Sequence, residues 1–146
     1  MYSATKEFNF EAGHCLDGHK GKCKNLHGHN YKVFVTMSSE TLNDMEMVMD
    51  FYDLNTFAKP TFDEFDHAFI YNCNCEDQFE KDLYNVCVKY RRKVMTLSCR
   101  ATAENMSKYF YDTLNAKLKF HFPDLDVKVS KVVVYETPTS FATYTE

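Results

Sequence analysis

The sequence predicts an α+β fold: a four-stranded antiparallel sheet with two main helices on one face. Three observations lead there. The first and last thirds of the chain alternate apolar and polar residues in strand fashion, while the middle carries apolar stripes at helical spacing. The resulting order, β-β-α-α-β-β, places no helix between the strands of either pair, so each pair is expected to run antiparallel.

From Thr5 to Ala12, Phe8, Phe10 and Ala12 share one face with His14, and Lys6 and Glu11 flank them; this is a half-buried strand ending at His14. Residues 15–24, which hold Gly18 and Gly21 and have Gly13 nearby, read as a loop. The next strand covers His29–Ser38, with Tyr31, Val33 and Val35 on one face and Phe34 on the other. Asp53, Leu54, Phe57 and Ala58 begin a helix that Pro60 either ends or kinks. In the segment 72–98, Phe79, Leu83, Val86 and Tyr90 recur at helical spacing and suggest a short extra helix. Thr102 is the expected N-cap of a helix carrying Met106, Tyr109, Phe110, Leu114 and Leu118 inward and stopping before Pro123. A β-branched strand follows from Asp126 to Thr137. Val127 and Val129 are out of phase with Val132, Val134 and Glu136, which predicts a bulge near Ser130–Lys131. Phe141–Tyr144 forms the last strand.

A chain of 146 residues, 45% apolar and 26% charged, suits one globular domain spanning 1–146. Its net charge of −4 gives no reason to expect nucleic-acid binding, which normally needs a basic face. No apolar run approaches the ~20 residues of a membrane span, and the first residues lack a signal-peptide pattern, so a cytoplasmic location is expected. The six cysteines are then expected to be reduced thiols. The basic run Lys89, Arg91, Arg92 and Lys93 reads as a solvated loop.

The chemistry concentrates in Cys23-Lys24-Asn25-Leu26-His27-Gly28-His29. On a strand, His27 and His29 point to the same face with Cα atoms roughly 6–7 Å apart. Pairing with the preceding strand brings His14 to them. Three neutral imidazoles suit a zinc ion with a fourth position open to water or substrate. Cys23, with Lys22 and Lys24 beside it, is a candidate base or nucleophile, or else a fourth metal ligand. Asp66-His67 can act as a proton-transfer pair only in a turn or at a helix end, since neighbours on a strand point apart. Glu136 ends an apolar strand face, where a flat ligand with two adjacent N–H donors would satisfy it; a wet strand end is the alternative. Glu104 either helps there or stabilises its helix N-terminus.

Phe10-Glu11-Ala12-x-His14, Cys23-x3-His27-Gly28-His29, Asp50-Phe51, Asp66-His67, Thr102-Ala103-Glu104-Asn105 and Glu136-Thr137 together resemble the 6-pyruvoyl-tetrahydropterin synthase / 6-carboxy-tetrahydropterin synthase family across nearly the whole chain. The resemblance implies the tunnelling fold, in which subunit sheets join into a barrel, and a homo-oligomer, commonly a hexamer of two trimers, with sites between subunits. It implies Zn2+ on His14, His27 and His29, a catalytic set of Cys23, Asp66 and His67, and pterin contacts at Glu136 and Glu104. Lys24, with Lys20 and Lys22, is a candidate contact for the triphosphate of 7,8-dihydroneopterin triphosphate. The implied product is 6-carboxy-tetrahydropterin, on the way to queuosine, with acetaldehyde released; 6-pyruvoyl-tetrahydropterin is the alternative, and a non-catalytic pterin- or purine-binding module a further one. The segment 72–98 is longer than in compact members.

Overall fold

A computed structural model describes all 146 residues. The chain runs β1 (Tyr2–His14), a 3₁₀ turn (Lys22–Lys24), β2 (His27–Ser39), α1 (Phe51–Asp63), β3 (Ala68–Asn72), α2 (Gln78–Lys89), β4 (Val94–Leu97), α3 (Ala103–His121), β5 (Lys128–Thr137) and β6 (Ser140–Thr145). β1 and β2 pair antiparallel over their full length, from Tyr2 opposite Ser39 to His14 opposite His27. β5 joins β2, and β6 joins β5, both antiparallel.

The sheet has six strands in the order β4-β3-β1-β2-β5-β6, which corrects the expected four. The two additional strands, β3 and β4, run parallel to β1 and to each other. Their brevity hides them in the sequence. Ala68–Asn72 is buried at every position, so it shows no alternation, and β4 has only four residues. A parallel addition needs a crossover: α2 joins β3 to β4, and β2 with α1 intervenes between β1 and β3.

The short extra helix expected within 72–98 is α2, which makes three helices where two main ones on one face were expected. The large core lies between one sheet face and helices α1 and α3, whose Phe57, Phe62, Met106, Phe110, Leu114 and Leu118 meet Phe8, Phe10, Tyr31, Val33 and Val35. α2 instead covers the opposite face at the β3–β4 end, where Leu83, Tyr84 and Cys87 pack on Cys15, Phe69 and Tyr71. The helical period was thus legible but its inward face was not: Phe79, Val86 and Tyr90 are exposed, and Glu80 is the buried member.

Local details position the site. Asp50 caps α1 by accepting from the Tyr52 N–H, and α1 passes through Pro60 to Asp63 without ending there. Thr102 caps α3 through the Asn105 N–H. The bulge falls where expected: the β2–β5 register shifts between Thr36 and Met37, opposite Lys131 and Val129, and skips Ser130. Asn115 of α3 fastens it, donating to the Val129 carbonyl and accepting from the Val129 N–H, both at 3.0 Å.

Candidate metal centre and its surroundings

Strand register assembles the histidines. His14 lies directly across from His27, while His29 faces Ala12, whose small side chain leaves room above it. Gly28 between them is demanded by close approach: a Cβ there would stand 3.1 Å from the Ala12 carbonyl oxygen. Beneath the cluster Phe10 and Tyr31 stack at 4.9 Å, and Phe110 meets Phe10 edge-on at 5.9 Å, a rigid aromatic floor.

The ring nitrogens of His14, His27 and His29 offer one ligand atom each, all within 4.8 Å of one another. His14 Nδ1–H donates to the Ala101 carbonyl at 2.8 Å, and His27 Nδ1–H to the Asn25 carbonyl at 2.7 Å. These bonds fix both tautomers and leave both Nε2 atoms unprotonated, with the Tyr31 hydroxyl 3.4 Å from that of His14. The two Nε2 atoms then face each other at 3.0 Å with no proton of their own to share. That arrangement is repulsive unless a cation lies between them, so the donor set fits a metal ion. Burial drives His14, only 1% exposed, down to about 4, with the Ala101 carbonyl opposing and the rings of His27 and His29 adding to the shift. His29 is lowered for the same reasons, burial and then His27. Neutral imidazoles are what a metal requires.

Two carboxylates share this neighbourhood. Partly buried Glu136 is shifted upward by burial and then by the Glu104 carboxylate, with His27 pulling the other way. Buried Tyr31 is raised by desolvation and by the charge of Glu136. Glu136 also lines a cavity of about 640 Å³ with His29, Asn30, Lys32, Phe34 and Tyr135. Cys23 is half-buried in the 3₁₀ turn, two residues before the Asn25 carbonyl that orients His27; it is not a member of the three-histidine group.

Although His67 lines a cavity of about 650 Å³ together with His29, Gly28, Glu11 and Lys93, Asp66 and His67 make no hydrogen bond to the histidine cluster. They occupy the turn after α1, as their joint action requires, with His67 at φ 58°. Asp66 Oδ2 accepts from His67 Nδ1–H at 2.9 Å, and Asp66 Oδ1 from the Glu11 N–H at 2.9 Å. Asp66 is held low by the Glu11 N–H first and then by His67. The hydrogen bonds of the pair reach Glu11, and none reaches the histidine cluster. Lys24 lines a separate groove with Asp17, Glu76, Asp77 and Arg100. Sequence reasoning missed the Ala101 and Asn25 carbonyls, which carry no residue-type signal, and Tyr31 as the floor of the site.

The family model described as 6-pyruvoyl tetrahydropterin synthase matches residues 3–146. The chain belongs to this family. It is 37% identical over 150 residues to the 6-carboxy-5,6,7,8-tetrahydropterin synthase of Haemophilus influenzae, covering 100% of each chain. It is 38% identical over 161 residues to the enzyme of that name from Aquifex aeolicus, covering 99% of this chain and 98% of the other. Among solved structures, an uncharacterized protein from Wolinella succinogenes superposes with a TM-score of 0.79 at 24% identity, over 99% of this chain and 98% of that one. The 6-pyruvoyl tetrahydropterin synthase of Plasmodium vivax gives 0.72 at 20% identity, over 100% and 99%. These two likenesses establish that the family fold is shared.

Proposed function

We propose that this chain is a 6-carboxy-5,6,7,8-tetrahydropterin synthase. It converts 7,8-dihydroneopterin triphosphate and water into 6-carboxy-5,6,7,8-tetrahydropterin, acetaldehyde and triphosphate, in the cytoplasm, as a step toward 7-deazapurines such as queuosine. The observation that carries the reading is the pairing of an open three-histidine donor set with the Glu136 carboxylate beside it, in a chain alike over its whole length to relatives of that name.

Zinc held by His14, His27 and His29 would supply Lewis acidity toward the hydroxyls of the substrate side chain. Glu136 accepts from two adjacent N–H donors of the pterin ring, and Glu104 adds a second carboxylate at the same end. Cys23 exchanges the proton of the carbon bearing such a hydroxyl. In the other half of the reaction Asp66 holds His67 by Nδ1, leaving Nε2 to take up or return a proton. Within one chain the pair is hydrogen-bonded to Glu11 and not to the histidines, which supports completion of the site by a neighbouring subunit. The sheet's outer strands, β4 and β6, each have one unpaired edge in the single chain, which supports sheets joining edge to edge in trimers, with two trimers forming a hexamer.

The test is to incubate the zinc-loaded assembly with dihydroneopterin triphosphate and identify products by mass. Acetaldehyde with the carboxy-pterin is expected. A pyruvoyl-pterin would transfer the chain to the other family activity, and no consumption of substrate would overturn both enzyme readings in favour of a binding module.

A further inference from the structure

We propose that Lys93 is a positioning residue for the Asp66–His67 pair, holding the turn that aims His67 rather than touching substrate. The proposal rests on the reading of that pair as the proton-transfer dyad. Its ground is a pair of short bonds: Lys93 Nζ donates to the Asp63 carbonyl at 2.6 Å and to the Asp66 carbonyl at 2.7 Å.

The turn needs such a clamp. Asp63 is the last residue of α1, so its carbonyl has no partner further along the helix, and an ammonium at that end also suits the negative pole of the helix dipole. His67 occupies the left-handed region at φ 58°, which is unfavourable for a non-glycine residue and persists only where its surroundings enforce it. Enforcement comes from two sides. β1 grips the turn through the Glu11 N–H on Asp66 Oδ1 and through the His67 N–H on the Glu11 carbonyl at 2.6 Å. Lys93 grips the peptide between the two dyad residues, since the Asp66 carbonyl belongs to the bond linking Asp66 to His67. Losing that grip leaves this peptide held at its N–H end alone, and the His67 backbone that carries the ring loosens with it.

Lys93 is itself well anchored for the task. Its backbone carbonyl accepts the Phe69 N–H at 3.0 Å, at the start of the β3–β4 pairing. That bond does not depend on the side chain, so removing the ammonium leaves the sheet intact. The basic run that reads as a solvated loop therefore contains one residue with a defined duty.

The test uses Lys93→Met, which keeps the apolar stem, and Lys93→Arg, which keeps a cation with several donors, both in the zinc-loaded assembly. In Lys93→Met, amide hydrogen exchange at His67 should quicken roughly tenfold while β2 amides and bound zinc stay unchanged. kcat should fall roughly tenfold with KM within about twofold, and Lys93→Arg should recover most of the loss. In a His67→Ala background, Lys93→Met should cost nothing further, because the group it positions is gone. Unchanged exchange at His67 would overturn the proposal. So would an undiminished loss in the His67→Ala background, or a rise in KM at constant kcat, which would mean direct substrate binding. If the wild-type assembly turns over no pterin, the functional reading fails, and the exchange measurement alone decides whether Lys93 holds the turn.

Discussion

The side chain that defines this site most sharply is His14, because it is buried, neutral and held by a carbonyl before any metal arrives. In the metal-free protein it takes a proton only near pH 4, whereas an unfolded chain takes one near 6.5. The folded pKa is the lower, so the unfolded state binds more protons across that window. Stability should therefore fall as pH drops from 6.5 toward 4 and level off below, with roughly 3 kcal/mol at stake by linkage. His29 adds in the same direction. Urea unfolding of the chelated protein beside a His14→Phe variant checks this: the variant should lose much of the slope, and equal slopes in both would contradict it. Much of this scale was legible from the sequence. The phase of two strands brings His14, His27 and His29 together because side chains on strands alternate strictly. The carbonyls that fix their tautomers were not legible, since a backbone acceptor on a loop leaves no mark on residue type.

At the scale of elements, the centre is stiff because α1 and α3 press a cluster of phenylalanines under it. Phe110 contacts Phe62 at 5.0 Å and Phe65 at 4.9 Å as well as Phe10. Phe110→Ala should cost about 3–5 kcal/mol, read by denaturant unfolding, and weaken metal retention as the floor loosens. A loss below about 1 kcal/mol would show that the cluster is not the support described here. The long strands and α3 could be read directly, because alternation, the Thr102 cap and the helical stripe agree with one another. α2 could not be oriented. Which of its faces turns inward depends on Phe69 and Tyr71 of β3, a strand whose continuous burial removes the alternation that would have announced it. Tyr84 stacks on Tyr71 at 4.3 Å while Phe79, from the expected stripe, lies in the open.

On the scale of the whole molecule the candidate residues form two groups, with His29 and His67 lining one cavity between them. The histidines, Glu136 and Glu104 gather at one end of the core, and Asp66–His67 is tied to Glu11 in the turn after α1. Under the proposed shared site, mixing Cys23→Ala with His67→Ala subunits after dissociation and reassembly should restore activity. About a quarter of the sites would then hold one intact Cys23 and one intact His67, by random assortment in a symmetric assembly. No recovery on verified reassembly would place both groups in the same subunit. The sequence alone implied this division only through the family resemblance; the fold adds the physical reason, a turn bound to β1 rather than to the histidines.

The central claim is that the metal centre is open: three imidazoles from β1 and β2, and no thiolate. X-ray absorption at the zinc edge of the loaded protein tests it most directly. The account predicts nitrogen scatterers at about 2.0–2.1 Å, with no sulfur shell, and a spectrum that Cys23→Ala leaves unchanged while turnover is lost. A sulfur scatterer near 2.3 Å that disappears in Cys23→Ala would contradict it, closing the site with Cys23 as a fourth ligand.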